Sequence, residues 1–84
     1  MNECWVCGTT YSLQKHHIYQ GKNRQVSDRM GAIVYLCLEH HTGNNGVHHK
    51  ADLRLRLEQW WQIEYEKEHS REDFMKLIGR NYIL

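Results

Sequence analysis

The alternation of apolar and polar positions divides the chain into a β-type first half and a helical second half. The stretch "YSLQKHHIYQG" (11–21) contains the first predicted strand, and "AIVYLC" (32–37), rich in β-branched and aromatic residues, is the second. Between them, "QGKNRQVSDRMG" (20–31) is polar, mostly basic and bounded by glycines, which predicts a surface loop. We therefore expect a two-stranded hairpin in this half.

The second half begins with a long predicted helix. It starts at Val47 or Lys50 and ends at His69, because the glycines and asparagines of "TGNNG" (42–46) argue against a regular helix before it. Its apolar residues recur at the i, i+4, i+7 and i+8 positions of one helical face: Leu53, Leu57, Trp60 and Trp61.

A second, shorter helix is predicted at residues 71–78. Ser70 and Asp73 have the spacing of a capping box at its start, and Gly79 ends it. The apolar tail that follows (80–84) is expected to fold back onto the core. Together the elements predict a single α+β domain spanning residues 1–84.

Cysteines and one histidine occur in two pairs with the same spacing. "CWVC" places Cys4 and Cys7 three positions apart, and "CLEH" repeats that spacing with Cys37 and His40. Thiolate and imidazole ligands in a closed set of four suit a tetrahedral structural Zn²⁺, which would stabilise a domain with a small core. His41 is the alternative fourth ligand. An odd number of cysteines fits a disulfide framework poorly, so a reducing, intracellular location is expected.

Two adjacent histidines, His16 and His17, lie within the first predicted strand. Neighbouring side chains of a strand point to opposite faces, so the two imidazoles are expected to serve different tasks. The order of "CWVC", a strand with HH, a strand ending in "CLEHH" and then a helix resembles the HNH endonucleases, also called ββα-metal or His-Me finger nucleases. Small phage-encoded members with a zinc knuckle are the most similar. The resemblance covers about residues 4–60 and implies a zinc-stapled ββα-metal domain, with 61–84 as a C-terminal helical extension.

The resemblance also implies a role for each residue that matches the family's motif. It assigns His16 to a catalytic divalent ion, His17 to the general base that activates water, and His41 to a second ligand of that ion. The candidates for the ion are Mg²⁺, Mn²⁺, Ni²⁺ and Zn²⁺.

The third ligand of the catalytic ion is less clear. The family's usual position, four residues after His41, holds Asn45, where "TGNNG" disfavours a helix. We expect His48, brought back by the glycine-rich loop, because an imidazole is a better ligand than an amide for a borderline metal. Asn45 and His49 are the alternatives.

Another departure concerns the middle asparagine, which in this family fixes the loop that carries the base. Its position falls near Gly31 or Ala32, and neither has a side chain that can do this. We expect Asn23 or a backbone group in its place. The departure motivates an alternative function, a non-catalytic zinc-knuckle module that binds DNA or a protein.

The formal net charge is only +1, but the charges are unevenly distributed along the chain. Most acidic residues lie in the C-terminal half, whereas basic residues lie near the proposed site in sequence: Lys15, Lys22, Arg24, Arg29, Lys50 and Arg54. This asymmetry suits phosphate binding, so double-stranded DNA is the expected partner, bound with low sequence specificity. Trp60 and Trp61 are expected in the core rather than as base-stacking platforms.

The sequence therefore predicts a metal-dependent HNH endonuclease that hydrolyses DNA phosphodiester bonds with His17 as general base. No apolar run approaches the roughly 18 residues of a membrane span, and "MNECWVCG" (1–8) lacks the regions of a signal peptide. We expect a cytoplasmic protein, encoded by a phage or prophage, that does not associate with a membrane. A protein partner or a homodimer is left open.

Overall fold

The computed structural model describes residues 2–83, so the two ends of the predicted domain, Met1 and Leu84, lie outside the described residues. The elements of the described part follow in this order: β1 (Leu13–His17), a 3-10 turn (Gly21–Asn23), α1 (Arg24–Met30), β2 (Ile33–Cys37), α2 (Leu38–His41), α3 (Ala51–Glu66) and α4 (Arg71–Ile78). The small α+β architecture with a two-stranded antiparallel hairpin agrees with the sequence prediction.

The hairpin sets the directions of the two adjacent histidines. β1 and β2 pair with Leu13 opposite Cys37 and His17 opposite Ile33. Successive side chains of a strand alternate between its faces. His16 is therefore buried, whereas Lys15 before it is exposed and His17 after it is half-buried.

The prediction of a surface loop at residues 20–31 is wrong, because most of this segment forms the 3-10 turn and α1. The segment holds no proline and no glycine between its two ends, so nothing in it breaks a helix. Most polar residues of α1 lie on its solvent-exposed face. On the opposite face, Ser27 is fully buried and Val26 packs against the core. Gly31 ends the helix in the left-handed conformation, with its N–H bonded to the carbonyl of Ser27.

The long helix α3 is shorter than predicted and turned slightly from its predicted orientation. It begins at Ala51 and ends at Glu66, and its buried residues are Leu57, Trp61 and Gln62. Trp60, which was expected in the core, is 37% exposed. Its ring makes an edge-to-face contact with the ring of Trp5. The spacing of apolar residues could not identify this orientation, because one of the buried side chains, Gln62, is polar.

α4 and the chain after it confirm the capping and tail predictions. Ser70 accepts a hydrogen bond from the N–H of Asp73 and completes a capping box, and Gly79 ends the helix with a positive φ. The tail returns to α3, where the amide of Gln62 hydrogen-bonds Asn81 and the N–H of Tyr82. Within residues 2–83, none of the helices combines the length and apolar character that crossing a membrane requires.

Candidate metal centres and catalytic histidine

The two predicted cysteine pairs meet at one point. Sγ of Cys7 and Cys37 are 3.8 Å apart, and Nδ1 of His40 lies 3.2 Å from Sγ of Cys37 and 3.8 Å from Sγ of Cys4. Tetrahedral ligands at about 2.0–2.3 Å from a zinc ion would be separated by roughly 3.3–3.8 Å. The four residues can hold a metal ion, and both the donor types and the spacings are consistent with structural zinc. His40, not His41, completes this group.

Crowded sulfurs and backbone donors control the charge of this cluster. Burial raises the pKa of the Cys4 thiol, but hydrogen bonds from the backbones of Cys37, Cys7 and Val6 outweigh it and lower that pKa to about 6. The backbone of Thr9 lowers the pKa of Cys7, yet loss of solvent and the neighbouring sulfurs raise it overall. A bound cation relieves this repulsion, so metal binding and full deprotonation of the thiols favour each other.

Three other histidines form a second cluster, at the far end of β1 from the first. The nearest ring nitrogens of His16, His41 and His48 all lie within 4.8 Å of one another. Nε2 of His41 and Nε2 of His48 are 3.3 Å apart, a separation that two imidazoles bound to one ion at about 2.1 Å would have. The residues named for the catalytic ion are therefore close enough to share one.

His48 reaches His41 although seven residues separate them in sequence, because the intervening loop folds tightly back on α2. The N–H of Val47 donates to the carbonyl of His40 at 2.9 Å. A Cβ on Gly46 would lie 2.7 Å from the backbone of His41, so only glycine allows this approach. The glycines that argued against a helix thus bring the third histidine into place.

The alternatives to His48 lie outside this cluster. The side-chain amide of Asn45 donates to Glu39 at 2.8 Å, which engages it away from the histidines. His49 is exposed and its ring is not part of the group.

Two features of the histidine nitrogens are compatible with metal binding. Nδ1 of His41 bonds the side-chain oxygen of Gln14, which fixes the proton on Nδ1 and leaves Nε2 as an electron-pair donor. Nε2 of His16 is buried and has no hydrogen-bond partner within the described residues. A buried imidazole nitrogen without a partner is costly, and a metal ion would satisfy it.

The electrostatic environment also favours ligand function. Burial lowers the pKa of His16 to about 4, and the positive charges that His41, His48, His17 and Arg54 can carry act in the same direction. Burial and His48 likewise lower the pKa of His41. Both rings are therefore neutral near pH 7, which is the protonation state that coordinates metals.

His17 points away from the three-histidine cluster toward α1. Its Nε2 lies 2.8 Å from Oδ1 of Asp28, a residue that the sequence analysis did not identify. The only sequence signal for Asp28 is an acidic residue in an otherwise basic segment. The pairing spans eleven positions and depends on α1 being a helix, so the loop prediction concealed it.

Ser27, rather than Asn23, ties α1 to the chain that follows β1. The buried hydroxyl of Ser27 accepts from the N–H of Tyr19 at 3.0 Å and donates to the carbonyl of Tyr19 at 2.7 Å. Asn23 instead donates to the carbonyl of Ile78 at the end of α4. These bonds hold the chain just beyond β1 in place, whereas Gly31 and Ala32 offer no polar side chain that could do so.

An open cavity of about 320 Å³ joins the cluster to His17. Two of the predicted basic residues, Lys15 and Arg24, line it beside the histidines. Three others, Lys22, Arg29 and Lys50, are exposed but do not line the cavity. Arg54 is half-buried and donates to the carbonyl of Val47, so it supports the loop that carries His48.

Comparison with known proteins adds no identification to this geometry. No protein-family model, curated protein or solved structure matches the chain. The function must therefore be argued from the residues themselves.

Proposed function

We propose that the chain is a metal-dependent endonuclease that hydrolyses DNA phosphodiester bonds, and that it is a member of the HNH group that its motifs resemble. The observation that carries the proposal is the convergence of His16, His41 and His48 in one cavity with the separate histidine His17. Three imidazoles that can hold an ion and a fourth, separate imidazole would supply the two parts of metal-assisted hydrolysis, an electrophile and a base.

A divalent cation fits the histidine cluster because Nε2 of His16 is buried without a partner and Nε2 of His41 is left free by Gln14. Three protein ligands leave coordination positions open for substrate, in contrast to the closed set of four at the cysteine site. When bound, such an ion stabilises negative charge on the phosphate and on the leaving oxygen.

The chain's own residues supply the remaining chemistry. His17 accepts a proton from water as the water oxygen attacks phosphorus, and the bond from phosphorus to the 3′-oxygen breaks. Histidine is the side chain most often used as a general base in enzymes, which suits this task. Lys15 and Arg24 line the same cavity and neutralise phosphate charge around the scissile bond.

The closed site has a different role in this proposal. Zn²⁺ bound by Cys4, Cys7, Cys37 and His40 joins the N-terminal turn to the end of β2 and takes no part in hydrolysis. Cys4 and Cys37 are buried in the core cluster, which suits a structural ion rather than a reactive one.

A plasmid-nicking assay with Mg²⁺, Mn²⁺ or Ni²⁺ tests the proposal. We expect the wild type to convert supercoiled DNA to nicked or linear DNA with at least one ion. His17→Ala is expected to slow cleavage by about 10²- to 10⁴-fold, the usual contribution of a general base. His69→Ala is the matched control, since His69 lies in the turn after α3 and stacks on Tyr65.

Two outcomes would contradict the enzyme proposal: no cleavage by the wild type with any of these ions, or equal cleavage by His17→Ala. Retention of DNA by the uncleaving wild type in a gel-shift assay would instead favour the non-catalytic zinc-knuckle module.

A further inference from the structure

Among the described residues, Asp28 is the side chain that hydrogen-bonds the ring of His17. The two side chains meet at 2.8 Å between Oδ1 and Nε2. The His17 side chain is only 15% exposed, whereas that of Asp28 is 58% exposed. The ring is therefore confined by packing, and one of its nitrogens is directed at an acceptor on the solvent side.

We propose that Asp28 is the positioning residue for the general base. Its carboxylate accepts the Nε2–H of His17, which leaves Nδ1 as the nitrogen that takes the proton of the attacking water. This inference rests on the proposed nuclease function and adds a residue to it. A base is effective only when a third group fixes both its tautomer and its orientation.

The backbone around Asp28 is held firmly enough for this role. The adjacent residue, Ser27, bonds both backbone groups of Tyr19, and its carbonyl accepts from the N–H of Ala32. These bonds fix the middle of α1 to the segment that leaves β1. The carboxylate is therefore positioned by a buried network, although it is itself largely in water.

A carboxylate has an advantage over a neutral acceptor at this position. When His17 takes a proton, the ring becomes an imidazolium, and the negative charge of Asp28 stabilises it without itself being protonated. As an isolated surface ion pair the contact would contribute little to folding. Its effect is expected on catalysis more than on stability.

The rate test compares Asp28→Ala with Glu72→Ala, which removes an equally negative but exposed carboxylate from α4. We expect Asp28→Ala to lower kcat roughly 10- to 100-fold, as loss of an outer partner of an active-site histidine commonly does, with KM for DNA unchanged. In the His17→Ala background, Asp28→Ala should cause no further loss, because the carboxylate acts through the ring. Glu72→Ala should cleave as the wild type does.

A spectroscopic test is independent of cleavage. In the zinc-loaded, ¹⁵N-labelled full chain, the ring nitrogens of His17 should show the proton on Nε2, in slow exchange with water. Asp28→Ala should lose that slowly exchanging proton while the other histidine signals stay in place. Titration of both proteins with Mn²⁺ should give the same affinity, because Asp28 is not a ligand.

The outcomes separate the two proposals. If the wild type cleaves DNA but its ring proton lies on Nδ1, or Asp28→Ala keeps the wild-type kcat, only the positioning role fails. Loss of Mn²⁺ binding in Asp28→Ala would overturn that role in favour of direct ligation. If the wild type cleaves nothing, the nuclease function fails whatever the ring signals show.

Discussion

His16 and His17 are neighbours in β1, yet they lie in opposite environments. His16 is 2% exposed with an unpartnered Nε2, whereas His17 is paired with Asp28. The strand alternation that sends them to opposite faces was predictable from two adjacent letters. The side-chain partners of His41 and His17 were not predictable, because Gln14 and Asp28 lie 27 and 11 positions away from them, and only the tertiary fold brings such pairs together.

The burial of His16 predicts a pH dependence of stability when no ion occupies the three-histidine cluster. The pKa of this ring is about 4 in the folded chain and about 6.5 when unfolded. Protons therefore bind the unfolded state first, and stability is lost as the pH falls from about 6.5 toward 4. From roughly pH 7 to pH 5 the loss is about 2 kcal/mol.

Urea unfolding of the zinc-loaded protein across this pH range measures the effect. His16→Gln removes the titrating ring, so its free energy of unfolding should change less with pH than that of the wild type. Parallel pH profiles for the two proteins would show that burial of His16 does not control the acid sensitivity.

Among the elements, α1 is the one that the sequence analysis interpreted as a surface loop, and it carries Arg24 and Asp28 of the candidate site. The segment looked like a loop because five of the seven residues from Arg24 to Met30 are polar. Its inward face is made by Val26 and by the hydroxyl of Ser27, which hydrophobic patterning does not count. By contrast, the capping box of α4 depends on local contacts and was predictable from its two residues.

Ser27→Ala tests the attachment of α1 to β1. The substitution leaves the buried N–H and C=O of Tyr19 without their partner, so we expect the free energy of unfolding to fall by about 2 kcal/mol. The cleavage rate of the folded protein should fall as well, because α1 carries Asp28. Denaturant unfolding and the nicking assay measure the two effects.

Ser70→Ala is the matched control for this experiment. It removes the cap of α4 and should lower stability by about 1 kcal/mol while leaving the cleavage rate of the folded protein unchanged. Equal cleavage by Ser27→Ala and the wild type would mean that the position of α1 does not matter to the site.

At the scale of the whole molecule, the cysteine site connects parts of the chain that little else joins. Residues 4–9 form a turn closed by the Cys4–Thr9 and Gly8–Cys4 backbone bonds, and the N–H of Trp5 reaches the carbonyl of Tyr35. Cys4 and Cys37 are themselves core residues. A domain of this size buries a modest core, so the metal is expected to contribute a large share of its stability.

Chelation should therefore unfold the domain rather than only inactivate it. Treatment with a strong zinc chelator is expected to abolish the helical circular dichroism signal, and an equivalent of Zn²⁺ should restore it. His48→Ala should keep the signal before chelation and lose it afterwards, because it weakens only the histidine cluster. A helical spectrum that survives complete zinc removal would contradict the structural role of this site.

The close approach of Gly46 to the backbone of His41 means that the proposed binding of an ion by the histidine cluster would depend on a residue that donates nothing to the ion. A substitution to alanine there would keep every histidine and every cysteine, and yet would push the return of the loop outward. Surveys that judge such chains by counting ligands would score that variant as intact. The closeness of His41 and His48 is therefore encoded at a position without a side chain, which a comparison of histidines and cysteines alone would overlook.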